Sequence, residues 1–190
     1  MEQRKLGPVA VGEIGLGAMP LSNEHRPDEA RAMATIHAAL DAGVTLIDTA
    51  DAYSVGPADF GYGEELIARA LRSYGGDTSD VIVATKGGHT RPSDDEWGLD
   101  GTRGYLVRAA QDSARRLGVE TVGLFQHHRP DPETPYEETL GALRELLDAG
   151  TIRMAGISNA DPEQIRLARE IVGDGLVAVQ NELSPAFRSS

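Results

Sequence analysis

A chain of 190 residues with 40% hydrophobic side chains can build one domain with a sizeable core, and its scattered charges argue against disorder. With 30 acidic and 18 basic residues the net charge is −12 and no polybasic run occurs, which argues against nucleic acid and anionic membrane surfaces as partners. Zero cysteines exclude disulfides and thiolate metal sites; no apolar run approaches the roughly 18 residues of a membrane span, and the first residues lack a secretory apolar core, so cytoplasmic is the default location.

In chain order, residues 12–16 read as a first short strand, followed by the loop G-A-M-P-L-S. Residues 28–42 have helical spacing, with Met33, Ile36 and Leu40 on one face and Gly43 as the stop. Residues 44–47 are the second strand. Leu66, Ala70 and Leu71 mark a helix over 64–72, ending before Gly75 and Gly76. Residues 81–85 are the third strand, and a polar loop with Pro92, Asp94, Asp95 and Trp97 leads to a helix over 103–117 stopped by Gly118. The fourth strand is 122–126. T-P-Y-E at 134–137 has the form of a capping box with proline at the first helical position, and Leu140, Leu143 and Leu147 form a buried stripe ended by Gly150. Residues 152–157 are the fifth strand; D-P-E-Q at 161–164 repeats the cap logic for a helix to Val172, and 177–179 is the sixth strand.

Strict alternation of strand and helix implies parallel strands joined by right-handed crossovers. An open doubly wound sheet for a dinucleotide would show G-x-G-x-x-G after its first strand, and the loop beginning at Gly15 lacks the third glycine. From the second strand onward each apolar run ends in polar residues: Asp48, Lys86, His128, then Ser158 and Asn159, then Gln180. In a closed barrel such residues converge on one face. The expected fold is therefore α/β, a (β/α)8 TIM-type barrel in a single domain over 1–190. Six strands take about 32 residues each, whereas a full barrel needs roughly 250, so two βα units are expected to be missing after the sixth strand.

Tyr53, five residues past Asp48, adds a phenol to the same rim. His127 and His128 are adjacent and point to opposite sides of their strand, so one faces the barrel's centre, and the residues alone do not choose between them. Trp97 either lines a pocket or packs in its loop. His25, His37 and His89 show no metal-ligand spacing, and no metal is expected.

D-T-A-D-A-Y at 48–53, G-E-E-L-I at 63–67, A-T-K ending at 86, L-F-Q-H-H-R-P-D at 124–131, G-I-S-N at 156–159 and V-Q-N-E-L-S-P at 179–185 together resemble the aldo-keto reductases, in order and spacing. The resemblance implies reduction of a small-molecule aldehyde or ketone with NADPH, or alternatively NADH. It makes Tyr53 the general acid, Lys86 its activator, Asp48 the partner of Lys86, and His128 the carbonyl-side residue. Ser158, Asn159 and Gln180 would hold the nicotinamide carboxamide, with Asp48 and the loop Gly17, Ala18, Met19 beside the cofactor. The H-x-P spacing selects His128 and leaves His127 to pack beneath the helices.

The chemistry suits these residue types. A hydride arriving at a carbonyl leaves an alkoxide that needs a proton, and a phenol with an ordinary pKa of about 10 gives one reluctantly. A neighbouring ammonium is expected to lower that pKa, and a carboxylate to keep the ammonium charged. An imidazole polarises the carbonyl oxygen. Two departures stand out: Gly123 occupies a place where the family usually has an acid, and the loops after strands seven and eight, which hold the cofactor's phosphates in the family, are not in the chain. Two other readings compete: a non-catalytic cofactor-binding or regulatory subunit, and a class I aldolase with Lys86 as Schiff-base amine.

Overall fold

A computed structural model describes residues 1–187. The chain opens with an antiparallel hairpin, β1 (Gln3–Leu6) and β2 (Val9–Gly12). Its turn is made at Gly7, where φ is +55° and a Cβ would run into Val177, so glycine is required on both counts. The strand expected over 12–16 is thereby corrected. Gly12 belongs to the hairpin, and the first parallel strand, β3, is only Leu16–Gly17. Between them the Gly12 amide donates to Thr45 Oγ1 at 2.8 Å, and Gly15 passes so close to the Leu46 carbonyl that a Cβ would lie 3.1 Å from it.

Helix α1 (Glu29–Asp41) starts where Asp28 accepts a hydrogen bond from the Arg31 amide, and it buries Ala32, Ile36 and Leu40. Strand β4 (Leu46–Asp48), helix α2 (Tyr62–Ser73) and strand β5 (Ile82–Gly87) follow. The segment expected as an irregular polar loop contains a second hairpin, β6 (His89–Ser93) and β7 (Glu96–Leu99). Its strands are mostly polar and paired only to each other, so they lack the apolar alternation that marks a half-buried strand. Helix α3 (Arg103–Leu117) is capped by Thr102, whose side chain accepts from the Tyr105 amide; such a cap stabilises by about 1 kcal/mol.

Strand β8 (Leu124–His127) leads to α4 (Tyr136–Asp148). The capping box expected at Thr134 does not form: Pro135 is the N-cap residue, and the Thr134 hydroxyl instead donates to Asp131 at 2.8 Å. Strand β9 (Ala155–Ser158), helix α5 (Pro162–Val172) and strand β10 (Leu176–Gln180) complete the order. At α5 the expected box is present, with Asp161 and Gln164 each bonding the other's amide.

The parallel strands pair in the order β10-β9-β8-β5-β4-β3 and form one curled sheet. Successive helices pack on one another from α1 to α5. The architecture is that of a (β/α)8 barrel over its first six units, as expected. Between sheet and helices lie two apolar layers, one around Phe125, Leu140, Leu143 and Ile157, the other around Ile36, Ile47, Leu66 and Ile67. A smaller cluster inside the curl, Ile82, Leu124 and Met154, is covered by Val9 and Val11 of the first hairpin, which closes the amino-terminal ends of the strands. Gly123, at the place where an acid was expected, lies against β5, with a Cβ position 3.3 Å from the Val83 carbonyl. Among the described residues no helix is long and apolar enough to cross a membrane.

Candidate active site

Strand β4 ends at Asp48, and its neighbour β5 carries Lys86 near its own end. The chain after Asp48 stays tied to β5, since the Thr49 amide donates to Ala84 O at 2.8 Å and the Asp51 amide to Lys86 O at 3.1 Å. A turn from Ala50 then swings Tyr53 back over the strand ends, and the Gly63 amide donates to Tyr53 O at 3.3 Å. Gly63 must be small there, because a Cβ would come within 2.8 Å of Ser22 Oγ and 2.9 Å of Thr49 Oγ1.

Lys86 is 1% exposed, and each of its three ammonium protons has an acceptor. Nζ donates to Asp48 Oδ2 at 2.6 Å, Thr49 O at 2.8 Å and Tyr53 Oη at 3.5 Å. Burial lowers the Lys86 pKa, and the Asp48 charge opposes that fall. The lysine was expected to lower the Tyr53 pKa, but the net shift runs upward. Burial raises the phenol above its ordinary value, and the charges of Asp48 and Asp51 raise it further. The ammonium lies closest to Asp48, whose charge offsets part of the stabilisation that Lys86 offers a phenolate. Tyr53 is a neutral phenol whose oxygen accepts from Lys86 and whose own proton has no protein acceptor among the described residues.

His128 follows β8, with its amide bonded to Gly87 O at 2.9 Å. Its ring meets Tyr53 edge-on at 5.5 Å and His89 at 4.3 Å. Burial pushes its pKa down to about 2, helped by His89 and Lys86, so the imidazole is neutral. Its Nδ1 is buried without a partner, while Nε2 reaches solvent. His127 points the other way, as the spacing implied: it is fully buried, 5.7 Å from the Tyr136 ring.

At the ends of β9 and β10, Ser158 Oγ donates to Gln180 O at 2.8 Å. Asn159 adopts φ 56°, and its Nδ2 donates to His128 O and Ser158 Oγ, both at 3.0 Å. The amide protons of Asn159 are thus used within the protein, while its Oδ1 accepts from Arg129 at 3.1 Å and keeps a second lone pair. The Gln180 side chain has no hydrogen-bond partner among the described residues. Ala18 is buried, with its amide on Asp48 O at 2.8 Å; Met19 is exposed; and nothing lies within 4 Å of a Cβ built on Gly17. That open shelf beside Asp48, with acceptors on Asn159 and Ser158 and the unpartnered amide of Gln180, fits a flat ring bearing a carboxamide.

Three contributors escaped the sequence. Gln126 donates to Asp48 Oδ1 at 3.3 Å and so holds the second carboxylate oxygen. It precedes His128 by two residues, hence on the same strand face, and that period-two signal could have found it. Asp51 is fully buried with both oxygens unpartnered. The β6–β7 hairpin brings His89 onto His128, with Trp97 edge-on to His89 at 5.5 Å and 46% exposed. Arg91 lies beneath the Trp97 ring at 4.3 Å and donates to Ser54 O, Val55 O and Asp94 O, which ties the hairpin to the Tyr53 loop.

The sequence and the fold are similar to those of known proteins. The model of the Aldo/keto reductase family matches residues 13–190. The 6-dehydroglucose reductase of Novosphingobium aromaticivorans is 36% identical over 185 residues, covering 96% of this chain and 59% of its own length. The aldo-keto reductase yakc [NADP(+)] of Schizosaccharomyces pombe is 36% identical over 185 residues, covering 96% of this chain and 52% of its own. In three dimensions, the glycerol dehydrogenase AKR11B4 of Gluconobacter oxydans superposes with a TM-score of 0.83 at 34% identity, over 98% of this chain and 56% of that one. The chain thus spans a little over half the length of these relatives. With a family match over nearly all of its length and a half-barrel that carries the motifs at its strand ends, this chain belongs to the aldo/keto reductase family.

Proposed function

We propose that the protein reduces an aldehyde or ketone to the alcohol with NADPH. The observation that carries this reading is the buried Lys86, which spends its protons on Asp48, Thr49 O and Tyr53 Oη and leaves the phenolic proton free to be given away. Tyr53 is the general acid that protonates the alkoxide oxygen as it forms. Lys86 stabilises the phenolate left behind, and Asp48, steadied by Gln126, holds Lys86 in place. His128, a neutral imidazole with Nε2 open to solvent, donates to the carbonyl oxygen and polarises it. Ser158, Asn159 and Gln180 would hold the carboxamide of a reduced nicotinamide beside the Gly17 shelf, and that group would supply the hydride when bound. The choice of NADPH draws on the relative whose name carries NADP(+).

Two observations weigh against the other readings. A Schiff-base lysine must be a neutral, unencumbered amine, whereas Lys86 donates three hydrogen bonds and pairs with a carboxylate. A silent subunit has no use for a buried ammonium aimed at a phenol.

The test is Tyr53→Phe in the protein at its full native length. Carbonyl reduction should fall about 10²–10⁴-fold, the usual contribution of a general acid, while NADPH binding followed by fluorescence stays near wild type. Turnover within about threefold of wild type would reject Tyr53 as the donor.

A further inference from the structure

We propose that His89 binds substrate, accepting a hydrogen bond from a hydroxyl group next to the reacting carbonyl, and that the preferred substrates are therefore hydroxylated carbonyl compounds. The proposal rests on the carbonyl-reductase reading above and names the substrate class for the same site.

His89 is held on every side except one. Its carbonyl accepts from Tyr105 Oη at 3.0 Å, and its ring is wedged edge-on between Trp97 at 5.5 Å and His128 at 4.3 Å. Nδ1 lies 3.2 Å from the Gly98 carbonyl. A carbonyl oxygen can only accept, so the proton of this imidazole is on Nδ1, and Nε2 carries a lone pair. That Nε2 has no partner among the described residues and is not shut away from solvent. Burial, with Arg129 and Lys86 nearby, lowers the pKa of the ring, which keeps the lone pair free at neutral pH.

His128 presents the complementary group. Its Nδ1 is buried without a partner and its Nε2 opens to solvent, so the proton is better satisfied on Nε2. Two neutral imidazoles whose centres are 4.3 Å apart therefore offer one donor and one acceptor. A simple alkyl aldehyde uses the donor and leaves the acceptor dry. A carbonyl with a hydroxyl on the adjacent carbon matches both, its oxygen on His128 and its hydroxyl proton on His89. Trp97, nearly half exposed beside them, supplies a flat wall for the carbon chain.

The experiment compares glycolaldehyde with propanal, in which a methyl replaces the hydroxyl, in the protein at its full native length. The reading is the ratio of their kcat/KM values, per unhydrated aldehyde, which is independent of how much of each preparation is active. Wild type should favour glycolaldehyde about tenfold, the scale of one hydrogen bond. In His89→Phe, which keeps a ring but no acceptor, the ratio should fall toward one. His89→Gln, whose amide oxygen also accepts, should retain more of it. A wild-type ratio near one, a wild-type ratio surviving in His89→Phe, or a His89→Gln ratio no higher than that of His89→Phe would each overturn the proposal while leaving propanal reduction to support the reductase. If wild type reduced neither aldehyde, the reductase reading would fall, and this proposal with it.

Discussion

Lys86 carries a positive charge at 1% exposure, a position tolerable only because every proton on Nζ is matched. Lys86→Met should therefore cost as much activity as Tyr53→Phe, because the phenolate would lose its counter-charge. The double variant should lose much less than the two single losses combined in free energy, as steady-state kinetics on all four proteins would show; additive losses would mean two independent roles. Asp51 poses a different problem, since its carboxyl is fully buried with neither oxygen paired. Burial raises its pKa well above the usual carboxylate range, and the Glu64 charge adds to the rise. A carboxyl whose folded pKa exceeds its unfolded value favours folding while protonated. That benefit is complete below the unfolded value near 3.8 and is lost as pH rises through the folded one. Asparagine mimics the protonated form, so Asp51→Asn should raise Tm at pH 8, with the gain shrinking toward pH 4 in thermal melts. An unchanged Tm at pH 8 would show that Arg116, Lys86 and the Ala52 amide, which pull the pKa down, compensate the buried carboxyl.

At the scale of elements, three pieces meet in one ion pair. Glu64 of α2 is fully buried, accepting from Thr85 Oγ1 of β5 at 2.5 Å and from Arg116 Nε of α3 at 2.5 Å. Gly61, with φ +89°, lets Arg116 lie against the start of α2, where any Cβ would collide with the guanidinium. Arg116→Met would strand a buried carboxylate, a loss of about 3–5 kcal/mol by urea denaturation. Adding Glu64→Gln should recover much of it, because the uncompensated charge is gone; no recovery would place the cost in packing instead. The hydrogen bonds of Arg91 act similarly at the carboxyl ends of the strands, joining the β6–β7 hairpin to the loop that presents Tyr53. Through that link the hairpin that carries His89 and Trp97 and the loop that presents Tyr53 are set by one another.

Across the whole molecule, buried imidazoles shape the response to acid. Burial pushes His127 down to about 4 and His128 to about 2, both below the ordinary 6.5. A base with a depressed folded pKa binds fewer protons folded than unfolded, so stability present above pH 6.5 is lost as pH falls. Each histidine contributes up to about 1.4 kcal/mol per pH unit in that window. Urea midpoints should fall steadily from pH 6.5 toward 4, and His127→Phe, which leaves His89 and His128 intact, should flatten the slope by about a third. A flat profile in wild type would mean that these rings take up protons without unfolding.

The sequence by itself determined the alternation of the parallel strands with helices α1 to α5, because apolar runs, glycine stops such as Gly43 and Gly118, and the box at Asp161 are local signals. It determined the strand-end residues as well, since parallel strands deliver Asp48, Lys86, His128, Ser158 and Gln180 to one face whatever the details between them. Only the tertiary structure decided the rest. The first hairpin and the β6–β7 hairpin have no strong pattern of their own: the first is held by packing against the amino-terminal ends of the sheet and the second by Arg91 and the rings of His89 and Trp97. The raised phenol of Tyr53, the spent amide of Asn159 and the tautomer of His89 likewise depend on burial and on partners distant in sequence. A residue's type is written in the chain, but the proton it holds and the bond it has left to give are set by what folding places around it.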